Sequence, residues 1–207
     1  MCTHYFLEPS PELGPISERT KRLRLTKDMI AKLGRPLKTE GIVNPNDMVP
    51  VIAPDKYGNS KEFPMIWGFH VEGLEEPIVN ARIENAKDKT TFKESWERRR
   101  CVIPAAYYFE WSRIQSGGTI KPKDQYVIQP AGANATWFAG LYRIEEGYMG
   151  FKYPVFTILT RPATPELKNI SDRMPVMLDA ADIDTWIRPG KLNKNMMILT
   201  NMVIEKV

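Results

Sequence analysis

Short apolar runs recur along the chain, several of them continuous and several alternating with polar residues. Most are rich in β-branched and aromatic side chains, the composition that fits a pleated, half-buried surface. They predict strands at Met48–Ala53, Phe63–Phe69, Cys101–Ile103 with Tyr107–Trp111, Gln125–Gln129, Ala135–Tyr142 and Tyr153–Thr160. Helical signals are fewer. Thr91-Phe92-Lys93-Glu94 reads as a capping box, and Phe92 and Trp96, at i and i+4, share one core-facing stripe. Thr164-Pro165-Glu166 reads as an N-cap followed by proline at the first helical position. Asp179 can cap a short helix through Trp186, stopped by Pro189-Gly190. A longer helix is predicted between Ser17 and Leu33, with Gly34 ending it.

Seventeen prolines are spread along the chain, so many short elements joined by turns are expected. No repeat, low-complexity tract or Gly/Ser linker marks a boundary. The class is α+β, one domain over residues 1–207 with a strand-rich core and a few peripheral helices. At 207 residues the chain can bury a sizeable core.

Composition narrows the field. Hydrophobic residues at 43% and charged residues at 26% exclude a disordered chain. No apolar run reaches the roughly 18 residues of a membrane span. Met1-Cys2-Thr3-His4-Tyr5-Phe6 lacks the basic head and apolar stretch of a secretory signal, so a cytoplasmic protein is expected. A net charge of +4 is compatible with a polyanionic partner without requiring one.

Two cysteines, Cys2 and Cys101, and two histidines, His4 and His70, are the soft ligands. Cys2 and His4 can touch one metal, but a closed zinc site takes four ligands, so neither metal nor other cofactor is expected.

Cys2 carries the most distinctive chemistry. A small residue at position two permits removal of Met1, leaving an α-amine beside a thiol. Both groups titrate within about two units of neutrality, so both nucleophiles are partly available. An aldehyde meeting the pair forms an imine with the amine, and the thiolate closes on the imine carbon to give a thiazolidine. A lysine imine has no thiol placed for that closure.

Four further segments supply polar chemistry. Trp67-Gly68-Phe69 follows an apolar strand, the glycine allowing a tight bend or close approach of another backbone. In Val79-Asn80-Ala81-Arg82-Ile83-Glu84, Asn80, Arg82 and Glu84 share one face if the segment is extended, a functional polar surface or simply a solvated strand face. In Arg98-Arg99-Arg100-Cys101 through Phe109-Glu110-Trp111, three arginines precede an apolar run and Glu110 sits between two aromatics. An acid in such a setting is costly to ionise, which suits proton shuttling; the alternative is a structural salt bridge to an arginine. Cys101 reads as a small buried hydrophobe rather than a second nucleophile. In Ser171-Asp172-Arg173-Met174-Pro175-Val176, the polar neighbours of Arg173 predict that it is exposed.

Taken in order, Met-Cys, Trp-Gly, Asn-Ala-Arg-x-Glu, Arg-Arg-Cys-x-Ile-Pro-Ala, Phe-Glu-Trp, Phe-Ala-Gly-Leu, Phe-Thr-Ile-Leu-Thr and Arg-Met-Pro-Val resemble the SRAP family (SOS response-associated peptidase domain). Each piece is weak, but their ordered co-occurrence over nearly the whole chain is specific. The resemblance implies a barrel-like core and a basic cleft for single-stranded DNA bearing abasic sites, with crosslinking through the terminal cysteine. It implies Cys2 as nucleophile, Asn80 holding the cysteine backbone or the opened sugar, and Glu110 moving protons. Arg82 and Arg173 would contact phosphates, and Trp67 would line the channel or stack on a base, stacking being worth about 1–3 kcal/mol per base. A monomer binding DNA, with no membrane partner and association with the nucleoid when bound, is expected.

Two positions depart from the family pattern. Ser171 stands where the family has a histidine, and it cannot titrate near neutrality. His4, in Cys2-Thr3-His4, stands where the family has a phosphate-binding arginine in Cys-Gly-Arg. Either His4 supplies the missing imidazole, or DNA binding is weaker and crosslinking intact; the second is the simpler expectation. Two other functions stay open: a thiol peptidase or amidohydrolase using Cys2, for which His4 and His70 are the available bases, and a non-covalent single-strand binding module.

Overall fold

The computed structural model describes residues 3–116, 119–188, 199 and 201–207, and gives the backbone alone for 113–116, 119–122 and 148. Strand β1 (His4–Leu7) is followed by helices α1 (Leu13–Arg22) and α2 (Arg24–Leu33) rather than by one long helix. The break is at Leu23, whose backbone is extended. The Thr20 carbonyl, which would continue the ladder, instead accepts from Leu23 N–H at 3.2 Å and from the buried Thr26 hydroxyl at 2.5 Å. Gly34 closes α2 in the left-handed region, its N–H bonding to the Ile30 carbonyl at 2.9 Å, as its position predicts.

Next come β2 (Gly41–Val43), β3 (Met48–Pro54), β4 (Ser60–Trp67), β5 (Asn80–Arg82), α3 (Ile83–Ala86), α4 (Thr90–Arg98), β6 (Arg100–Ala105), β7 (Tyr107–Ser116), β8 (Thr119–Pro130), β9 (Thr136–Glu146) and β10 (Lys152–Pro162). β11 (Arg173–Pro175), β12 (Met177–Leu178), α5 (Ile183–Ile187) and β13 (Met202–Lys206) complete the order. Each predicted strand run lies within or against one of these strands. The predicted helix starts fare less well. α4 begins one residue before Thr91, with Lys89 at the cap position and no side-chain cap. The predicted stripe stands, with Phe92 buried and Trp96 packed against the same core. Thr164 starts a run of turns, its carbonyl accepting from Leu167 and Lys168, that does not become a helix. Asp179 does cap: its carboxylate accepts from Ala181 N–H at 2.9 Å, opening a 3-10 turn that leads into α5. The predicted stop at Pro189-Gly190 lies outside the described residues.

Strands β10, β4, β3, β6 and β9 are neighbours in that order, and β9 also pairs with β10, so the five close into a barrel. Both faces of its strands are covered. Val49, Val51, Met65, Trp67, Cys101, Ile103, Phe156 and Ile158 join a core with Tyr5, Leu7, Tyr108 and Ile128 of the second sheet. The alternate residues Met48, Ile52, Ile66, Val102, Val155 and Leu159 pack against Ile16, Met29, Phe92 and Trp186 from the helices. Burial on both faces explains why these runs read as continuous rather than alternating apolar residues. Close packing sets the glycines: a Cβ on Gly140 would lie 2.4 Å from Ile103 Cδ1 and 2.9 Å from the Thr157 carbonyl.

The second sheet is antiparallel, in the order β13-β8-β7-β1-β2. One continuous stretch links the two sheets. β6 leaves the barrel, turns at Ala106 and becomes β7. That corner is fixed on both sides, Ala106 N–H donating to the Phe6 carbonyl at 2.8 Å and its carbonyl accepting from the Thr136 hydroxyl at 2.7 Å.

Candidate functional site

The pairing of β1 with β7 determines what stands near the start of the chain. His4 is opposite Phe109, Tyr5 opposite Tyr108 and Phe6 opposite Tyr107. The residue next to Phe109 is Glu110, on the inward face of β7 with Tyr108 and Ser112. Glu110 is 3% exposed, so the acid singled out between two aromatics is withdrawn from solvent. His4 packs edge-on against Trp111 with ring centroids 5.4 Å apart, and its Nδ1 lies 3.0 Å from the Thr3 hydroxyl. Partial burial pulls the His4 pKa below the ordinary histidine value, which favours the uncharged ring. A neutral imidazole donates and accepts hydrogen bonds but carries no charge with which to replace an arginine.

Two of the three arginines at the start of β6, Arg99 and Arg100, are engaged by other partners. Arg99 pairs with Glu94 at 3.1 Å. Arg100 is buried between Trp96 and Trp186, with its guanidinium carbon 5.6 and 5.5 Å from the two rings and its Nε donating to the Trp96 carbonyl at 2.9 Å. Cys101 is fully buried, as its sequence setting predicts, and burial pushes its thiol well above the ordinary range. His70 hydrogen-bonds through Nδ1 to Glu145 at 2.9 Å.

Asn80 belongs to a strand tied to the same core. β5 lies parallel to β10, with Asn80 opposite Ile158 and Arg82 opposite Thr160. Ala81 points into the core, which sets Asn80 and Arg82 on the other face. The strand is also fixed from β4: the Trp67 indole N–H donates to the Val79 carbonyl at 3.0 Å. Trp67 stacks with Phe156 at an interplanar angle of 5°, and Tyr5 tilts against it at 5.2 Å. Tyr5, Trp67 and Val79 therefore connect β1 to the segment carrying Asn80. Trp67 itself is 0% exposed, which corrects the expectation that it lines a channel or stacks on a base: both faces of its ring are inside the core. Gly68, after it, needs its freedom, since φ is +121° and a Cβ would meet Pro77 Cβ at 2.6 Å.

Beyond Arg82 the chain leaves the strand, so Glu84 sits in α3 and not on one extended face with Asn80 and Arg82. β11 runs along the other edge of β10, with Arg173 opposite Pro162. Arg173 reaches back across β10, where its Nη2 donates to the Thr160 carbonyl at 2.8 Å. The same guanidinium grips Glu84 with two bonds of 2.6 and 2.9 Å. Its side chain is only 15% exposed, so the sequence expectation of an exposed Arg173 is corrected. Arg173 and Arg82 together hold the Glu84 carboxyl below the usual glutamate range, with the Arg173 hydrogen bonds the larger influence.

Arg82, Ser171 and Arg173 line one open cleft of about 460 Å³, with Lys168, Asn169, Ile170 and Asp172. Three of the sequence-predicted binding residues thus meet, although Arg82 and Ser171 are far apart along the chain. Sequence reasoning misses Lys168 and Asn169. Their only signal is the predicted helix after Thr164, whereas the turns formed there bring both residues to the cleft. The positive charges of Arg82, Lys168 and Arg173 outnumber that of Asp172 in the lining, which suits an anionic ligand. Cys2 lies outside the described residues; the described chain begins at Thr3, one residue after it. Among the described residues no group of three or more His, Cys, Asp or Glu is arranged to hold a metal ion, and no helix is long and apolar enough to cross a membrane.

Comparisons with known proteins give a family. The model of the SOS response associated peptidase (SRAP) family matches residues 1–206. The chain is 33% identical over 112 residues to the abasic site processing protein YoaM of Bacillus subtilis, covering 54% of this chain and 48% of that protein. It is 32% identical over 112 residues to the abasic site processing protein YoqW of the same organism, with the same coverage. The match therefore spans about half the length of these curated relatives. A crystal structure of a protein from Bacteroides thetaiotaomicron superposes with a TM-score of 0.73 at 18% identity, covering 100% of this chain and 92% of that one.

Proposed function

This chain belongs to the SOS response associated peptidase (SRAP) family, and from that premise we propose that it processes abasic sites in single-stranded DNA by forming a thiazolidine crosslink through Cys2. The observation that supports the reading is the pairing of β1 with β7, which holds His4 opposite Phe109, the residue just before the buried Glu110. Relatives named as abasic site processing proteins supply the substrate class.

With Met1 removed, the Cys2 amine adds to the aldehyde of the ring-opened abasic sugar. Loss of water gives the imine, and the thiolate adds to the imine carbon while the nitrogen takes a proton. Glu110 serves the proton transfers, taking one from the attacking amine and returning it to the departing hydroxyl. Asn80, with both an amide donor and acceptor, holds the cysteine backbone or the sugar hydroxyls. The strand's phosphates lie along the cleft of Arg82, Lys168 and Arg173, with Ser171 offering a hydroxyl. His4 lends a hydrogen-bonding ring beside Trp111. The whole chain acts as one domain and one molecule.

The test is direct. Processed protein incubated with an abasic oligonucleotide should give a covalent species of the summed mass less one water. Free Cys2 confirmed by mass spectrometry, with no such species, ends the proposal. Binding that falls steeply with salt and ignores the abasic sugar would instead favour a non-covalent single-strand module.

A further inference from the structure

We propose that Glu84 is an internal competitor for the phosphate-binding guanidinium of Arg173, displaced when a nucleic-acid phosphate takes its place; this rests on the reading of the cleft as a single-strand site. Three observations carry it. The bond is bidentate, with Nη1 and Nη2 each donating to one carboxylate oxygen at 2.6 and 2.9 Å. A phosphate presents two oxygens to a guanidinium in the same fork, so carboxylate and phosphate compete for one geometry.

Second, the guanidinium does not depend on Glu84 for its position. Nη2 also donates to the Thr160 carbonyl at 2.8 Å and lies 3.3 Å from the Thr160 hydroxyl, and the Arg173 backbone is paired to Pro162. Removing the carboxylate therefore leaves a cation held in place and facing the cleft.

Third, Glu84 can leave at little cost. Its side chain is 44% exposed against 15% for Arg173, so the acid rehydrates easily while the base stays fixed. Its surroundings are cationic: Arg82 and Arg173 both hold its pKa down, and its charge in turn acts on Arg161. One carboxylate thus offsets part of an arginine cluster while no strand is bound. That lowers affinity for stray anions and leaves the full charge to a ligand able to supply its own phosphate.

The experiment measures binding of an intact, mixed-sequence single-stranded oligonucleotide to wild type and Glu84→Gln across a range of salt. Glu84→Gln is expected to tighten binding at low salt about two- to fivefold, the range of a partly exposed ion pair. The gain should shrink as salt rises, because screening weakens the internal Glu84–Arg173 pair that the phosphate has to break, while the number of phosphate contacts stays the same. Glu84→Asp, which keeps the charge on a shorter arm, should fall between the two. The double variant Glu84→Gln/Arg173→Gln should lose the gain. Equal affinity at low salt for wild type and a folded Glu84→Gln variant overturns the proposal, as does a gain that survives loss of Arg173. Because the strands are intact, an absent crosslink with abasic DNA fails the Cys2 chemistry alone and leaves this exchange standing.

Discussion

Trp67 donates its indole N–H to the carbonyl of Val79 at 3.0 Å, tying the end of β4 to the residue just before Asn80. The Val79 carbonyl also accepts from Ile158 N–H at 3.0 Å, so loss of the indole removes one of its two donors. Trp67→Phe, which loses that bond and leaves a cavity where the fully buried indole was, should lower stability by about 1–3 kcal/mol, read from the midpoint of urea unfolding. The same change should slow adduct formation, because β5 loses a restraint beside Asn80 while the aromatic contact with Tyr5 is kept. A Phe variant that unfolds at the wild-type midpoint would show that the N–H contributes nothing.

Gly140 tests the packing of the barrel. Its missing Cβ would sit 2.4 Å from Ile103 Cδ1, 2.9 Å from the Thr157 carbonyl and 3.1 Å from Cys101 Sγ. Ile103 can rotate, but a backbone oxygen in the neighbouring strand cannot. Gly140→Ala should therefore cost about 1–3 kcal/mol, the range for overpacking a filled core. Gly14 supplies the control, since a methyl added there would find nothing within 4 Å. Gly14→Ala should be neutral or mildly stabilising in the same unfolding assay.

The strands are legible because their residue types and lengths suit burial on two faces, and each apolar run from Met48 to Thr160 lands on a strand. Helix starts are not, since capping depends on geometry as much as on residue type: Asp179 caps, whereas Thr91 does not. The longer helix fails at Leu23, where a buried threonine hydroxyl takes over a carbonyl, a tertiary event with no local signature. Within the site, Arg82, Ser171 and Arg173 are readable from motifs and do share a cleft. Trp67 misleads because a tryptophan beside glycine reads the same whether it faces a channel or a core. The Glu84–Arg173 pair is invisible in the sequence, since it requires β5 and β11 to flank the same strand, a fact of topology.

That pair predicts an acid dependence of stability. Arg173 holds the Glu84 carboxyl below its ordinary value, so the folded state binds a proton less readily than the unfolded chain. The stabilisation is fully present above the unfolded glutamate range and is lost as pH falls through the lowered folded value. Because Glu84 is partly exposed, solvent screening keeps the contribution below about 1 kcal/mol. Urea midpoints of wild type and Arg173→Gln should differ more at neutral pH than in acid, the Glu84-dependent part of the difference fading as the carboxyl is protonated. A constant difference across that window would mean that the carboxylate's charge is not what Arg173 contributes.

The two cysteines should separate cleanly in a labelling experiment. Cys101 is buried in the barrel, its carbonyl accepting from the Trp186 indole at 2.9 Å and its thiol pushed well above the ordinary range by burial. The thiolate is the reactive form, so a water-soluble thiol reagent should modify Cys101 only after unfolding. Cys101→Ala should cost on the order of 1 kcal/mol in stability, from the lost buried atom, yet form the abasic adduct at the wild-type rate. Cys2→Ala should be as stable as wild type and form no adduct. A folded Cys101→Ala protein without adduct would transfer the nucleophile to the barrel, and native labelling of Cys101 would show that the barrel opens far more readily than its packing implies.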